Sequence, residues 1–165
     1  MIFGMSFYTY TLIHVVISLI GIVTGLYVLY RLLMGQGLDH WNTVFLVSTV
    51  LTSVTGFGFP FTQWLPSHAV GVISLVVLAA AIAALYHFHL AGIWRWIYLV
   101  GALLALYLNC FVGVVQAFLK IPALKALAPT QTEGPFVTAE FLLVVLFIVA
   151  GAFSGFRFHP RPTAS

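Results

Sequence analysis

No charged side chain precedes Arg31, and after Asp39 none appears again until Arg95. Uncharged stretches this long, dense in Val, Ile, Leu and Phe, reach the ~20 apolar residues that a helix needs to cross a hydrocarbon layer. Composition points the same way: 62% of residues are hydrophobic and 5% charged, whereas a soluble domain is roughly a quarter charged. The chain reads as an all-α integral membrane protein, one domain over residues 1–165. A formal charge of +3 is too small and too scattered for a nucleic-acid footprint. Cys110 is the single cysteine, which excludes an intrachain disulfide and a CxxC redox pair. The N-terminus has no basic segment, and its apolar run is too long for a signal peptide, so the first helix is expected to be a retained span.

Five spans can be counted, over residues 7–33, 42–59, 68–90, 93–119 and 136–156, the second short and threonine-rich. Gly35 and Gly37 end the first and Asp39 can cap the second. Gly56 to Pro60 ends the second, Ser67 can cap the third, and Pro135 suits the first turn of the fifth. Between the fourth and fifth, residues 123–128 read as a short interfacial helix framed by Pro122 and Pro129, either a lid or a plain connector. The expected architecture is a five-helix bundle.

In that arrangement Arg31, Arg95, Arg157 and Arg161 fall on one side, and Lys120 and Lys125 on the other. The arginine side is expected to be cytoplasmic, with the N-terminus outside and the C-terminus inside. Trp41, Trp94, Trp96, Tyr8 and Tyr10 fall where aromatic belts belong, and Trp64 falls in the outer loop.

The arginines also set depth. His14 precedes Arg31 by 17 residues and Glu140 precedes Arg157 by the same 17, which places both about 25 Å from that interface, in the outer third. Asn109 and Gln116 bracket the same level. Asn109, Gly113, Gln116 and Lys120 share one helical stripe, and a stripe with two carboxamides should face protein rather than lipid. Small residues mark other seams: His14, Ser18, Gly21 and Gly25; Ser48, Thr52 and Thr55; and, following Glu140, Val144 and Phe147, Gly151 and Ser154. They point to close helix packing within the chain or against partner helices in a homo- or hetero-oligomer.

His14, Asn109, Gln116 and Glu140 are the candidate ligand-binding residues. Glu140 is the one acid deep in a span and is expected to neighbour His14, as a functional or a purely structural pair. Three chemistries stay open. An amphipathic ligand, quinone-like or lipid-like, needs an apolar cavity with a few polar hooks. A metal ion could use His14, His68 and Glu140, although no HxxxH or ExxH spacing supports it. A b-type haem would need His14 and His68 at matched depth, and their depths differ by about 10 Å. No GxSxG and no Ser/His/Asp set with credible spacing is present, so nucleophilic hydrolysis has no support, and an enzyme ranks third among the readings.

The residues Asn109, Gln116 to Lys120, Pro122, Leu124, Ala126 to Gln131, Glu133, Pro135 and Phe136 resemble a family of small bacterial membrane proteins catalogued only as hypothetical. Residues 14–21 and 51–56 are similar to it too. The resemblance covers most of the chain and is most specific over 126–136. It implies a bacterial inner-membrane location and carries no assigned activity. It also implies Gln more often than Glu at position 140 and Pro at 134, which weakens the metal reading. The expected function is binding of an amphipathic ligand or cofactor in the polar layer. The alternative is a structural or accessory subunit with no ligand of its own.

Overall fold

The computed structural model describes residues 4–60 and 66–159; Trp64 and Arg161 lie outside them. All regular elements there are helices. Helix α1 spans Phe7–Leu33, opened by Ser6, whose Oγ accepts the Thr9 N–H at 3.0 Å. Helix α2 spans His40–Gly56, opened by Asp39, whose Oδ1 accepts the Trp41 N–H at 3.0 Å. Helix α3 spans Pro66–Ile82 and widens into a π-helical turn at Ala83–His87. Helices α4 (Trp94–Lys120), α5 (Pro122–Leu127) and α6 (Gly134–Arg157) complete the chain. Four of these, α1, α3 with its π turn, α4 and α6, are long and apolar enough to cross a membrane. Helix α2 is shorter, at 17 residues.

Helix α2 runs antiparallel along α1. Arg31 meets Asp39 at 2.7 Å at one end, and His14 Nδ1 meets Thr55 Oγ1 at 2.7 Å toward the other. Between them Gly25 lies against Phe45, and Gly21 against Thr49 and Ser48. The small-residue seam of α1 and the hydroxyl seam of α2 are therefore the two sides of one interface. A Cβ on Gly25 would stand 2.5 Å from Leu106 Cδ1 and 2.8 Å from the Phe45 ring. Only glycine lets three helices meet there, and close backbone approach drives association where lipid supplies no hydrophobic force.

The polarity of α2 is handled locally. Ser48, Thr49, Thr52, Ser53 and Thr55 each return the hydroxyl hydrogen to a carbonyl of the preceding turn, at 2.6–3.0 Å. This back-bonding lets a hydroxyl-rich helix sit in apolar surroundings without unsatisfied donors. Ser53 also bonds Ser74 of α3 at 3.0 Å.

Helix α4 is the hub, touching each of the other helices. Tyr98, Gly101, Ala102, Ala105, Leu106 and Asn109 form its buried stripe, at the spacing of a single helical face. Helix α6 lies antiparallel on α4, with Phe136 beside Phe118, Phe147 beside Tyr107, and Gly151 beside Leu103.

The three arginines among the described residues, Arg31, Arg95 and Arg157, share one end of the bundle. Arg157 Nη1 donates to the Leu33 carbonyl at 3.0 Å, and Arg95 Nη1 donates to the Phe158 carbonyl at 3.0 Å. Phe158 is buried beside Tyr98, whose hydroxyl donates to Asn42 Oδ1 at 2.5 Å. These contacts clamp α1, α2, α4 and α6 together at the arginine end. The turn from α3 to α4 is held by Phe88 stacked on Trp94, with centroids 3.5 Å apart.

Candidate functional site

His14 lies on the face of α1 that turns to α2. Its ring bonds Thr55 and meets Phe59 edge-on at 5.1 Å, and Tyr10, one turn earlier, donates to the Thr55 carbonyl at 2.7 Å. The imidazole is thus part of a closed contact between two helices. Thr55 was readable as a seam residue from its spacing, but its role as the partner of His14 was not.

Asn109 is 8% exposed and points to α1, where Nδ2 stands 3.5 Å from the Ser18 carbonyl. The same nitrogen would be 3.0 Å from a Cβ on Gly21, with Thr49 Oγ1 at 3.1 Å and Ser48 Oγ at 3.3 Å. The carboxamide is packed where α1, α2 and α4 converge. The inward reading holds for this residue and for Gly113, and fails for Gln116 and Lys120. Gly113 meets Ile22, while Gln116 and Lys120 are exposed. The final turns of α4 present a different face to their neighbours: Phe118 is buried and meets Phe136 of α6, while Gln116 and Lys120 lie off that contact.

Glu140 lies on α6, and both its carboxylate oxygens are buried without a hydrogen-bond donor among the described residues. The expected His14–Glu140 hydrogen bond is therefore absent. The two residues share a level along the bundle, since α1 and α6 run in the same direction and the Arg157–Leu33 contact aligns their ends. The azimuth is what differs: His14 faces α2, and Glu140 sits on a helix packed against α4 and α1.

His68 is buried and lies against Phe57, with ring centroids 5.8 Å apart. His14, His68 and Glu140 do not assemble: among the described residues, no three His, Cys, Asp or Glu side chains come together in a way that could hold a metal ion. The α1–α2 contact takes His14 for itself, and the triad has no common face.

No protein-family model, curated protein or solved structure matches this chain.

The loop after α4 is built by its own polar residues. Helix α5 contacts α4 and has no buried residue. It is a surface turn on the end of α4. Beyond it, Glu133 Oε1 accepts from the Thr130 N–H at 3.1 Å and hydroxyl at 2.8 Å, and Oε2 accepts from the Thr132 N–H at 3.1 Å. Partial desolvation raises the Glu133 pKa, and these hydrogen bonds outweigh it, so the net shift is downward. Gln131, in the left-handed region at φ 60, donates to the Val115 carbonyl at 2.9 Å. Much of the 126–136 stretch is therefore spent on shaping the turn that leads into α6.

Two shallow surface grooves, of about 330 and 370 Å³, run between α1 and α2 and between α3 and α4. Both are lined almost wholly by apolar side chains, and neither includes His14, Asn109, Gln116 or Glu140. The four candidate hooks do not converge on one space.

Proposed function

We propose that this chain is a five-span bacterial inner-membrane protein acting as a structural or accessory subunit of a membrane assembly. The observation that carries this reading is where the polar side chains go. His14 is taken by Thr55, Asn109 by the contact with Ser18 and Gly21, and Ser53 by Ser74. They tie helices to one another.

The fifth crossing is α2. At ~1.5 Å per residue its 17 residues reach about 26 Å, and its contacts run along α1 from Arg31 to His14. Its back-bonded hydroxyls favour an embedded position. The excess of Arg at one end over the two lysines at the other supports a cytoplasmic arginine end.

Native mass spectrometry of the chain extracted in lipid nanodiscs tests the reading. The expected result is an assembly of more than one protein chain. A single chain carrying a stoichiometric non-lipid small molecule would overturn it. A second reading, binding of a quinone-like or lipid-like molecule, draws on the unpartnered carboxyl of Glu140. An optical spectrum and metal analysis of the same sample read haem and metal directly.

A further inference from the structure

The chain has three carboxylate side chains, and the fold treats them differently. Asp39 pairs with Arg31 at 2.7 Å and caps α2. Glu133 accepts three hydrogen bonds from Thr130 and Thr132. Glu140 has neither a cation nor a donor, although both its oxygens are buried.

Glu140 is on the second turn of α6, about 9 Å along the axis from Gly134. Helix α6 packs against α4 and α1. On α4 the titratable group within electrostatic range is Tyr107, and Cys110 packs on the apolar core. On α1 the titratable groups nearest this depth, Tyr10 and His14, are engaged with Thr55 of α2. No positive charge faces Glu140 from either helix, since Arg31 and Arg95 lie at the far end and Lys120 is exposed. An ionised carboxylate buried this way loses its hydration and gains nothing in return, whereas the neutral acid leaves only an ordinary polar group to accommodate.

We propose that Glu140 is a proton-binding site within the membrane, an undissociated carboxylic acid at neutral pH that a hydrophobic carbodiimide modifies selectively. This goes beyond the subunit reading and does not depend on it. In the reaction the acid proton passes to one carbodiimide nitrogen while the carboxyl oxygen bonds the central carbon. The acyl group then migrates from oxygen to nitrogen. The product is a stable N-acylurea that retains every atom of the reagent, with no leaving group and no redox change. Asp39 and Glu133 are internal controls, because Asp39 is paired with Arg31 and Glu133 accepts three hydrogen bonds.

The test uses the full chain in lipid vesicles, treated with dicyclohexylcarbodiimide over a pH series and read by peptide mass spectrometry. The Glu140 peptide is expected to gain one reagent mass, and Glu140→Gln to lose that adduct. Above the midpoint, labelling should fall about tenfold per pH unit, as the protonated fraction does. Labelling of Glu140 no greater than that of Asp39 and Glu133 overturns the proposal. Infrared spectroscopy supplies a reading that does not depend on reagent access. A protonated carboxyl C=O band at neutral pH that vanishes in Glu140→Gln supports the site, and the absence of that band from the wild-type protein overturns it.

Discussion

At the scale of single residues, the bundle depends on where side chains are missing as much as on where they are. A methyl group on Gly25 would collide with Leu106 and the Phe45 ring, at 2.5 and 2.8 Å. Gly25→Ala should therefore destabilise the protein by about 1–3 kcal/mol, the usual cost of overpacking, read as a lowered thermal midpoint in detergent. Gly113→Ala meets only Ile22 Cδ1, at 3.4 Å, and should change the midpoint little; equal losses in the two variants would mean that Gly25 is not at a tight crossing. The pair to probe by a double-mutant cycle is His14 with Thr55. With His14→Ala and Thr55→Val the coupling should fall at about 0.6–1.7 kcal/mol, the range of interhelical hydrogen bonds in membranes. His14 with Glu140 should be additive.

At the scale of elements, the sequence carried depth and periodicity but not direction around the helix axis. Counting from the arginines placed His14 and Glu140 at one level, and the Arg157–Leu33 contact agrees. Which neighbour each helix presents to that level depends on packing, and no spacing within one helix encodes it. The glycine seam of α1 and the hydroxyl seam of α2 were each visible as i, i+3, i+4 patterns, yet that they face each other emerges only from the fold. Gln116 is exposed for the related reason that the periodicity of a stripe does not say which of its turns meets a neighbouring helix. The π turn at Ala83–His87 had no signal in the sequence. The loop before α6 offers a pH test. Its hydrogen bonds hold the Glu133 pKa below the ordinary value. Their stabilising contribution is therefore present above the unfolded pKa of about 4.3 and is lost as pH falls through the lower, folded value. Glu133→Gln should lower the thermal midpoint at neutral pH, and its difference from wild type should shrink on acidification. A difference that is constant with pH would assign the effect to packing.

At the scale of the whole molecule, the account rests on α2 being embedded beside α1. Helices α1, α3, α4 and α6 are long and apolar enough to span unaided; α2 is short and hydroxyl-rich, and its contacts along α1 are the reason to count it as a crossing. The number of crossings has a binary consequence. Five put the two ends of the chain on opposite sides of the membrane, and four put them on the same side. Single cysteines at Ser6, Gln36, Thr130 and His159, introduced into a Cys110→Ser chain and probed in intact cells with an impermeant maleimide, read this directly. Ser6→Cys and Thr130→Cys should label from outside, and Gln36→Cys and His159→Cys only after the membrane is opened. Labelling of Ser6→Cys and His159→Cys from the same side would contradict the five-span bundle.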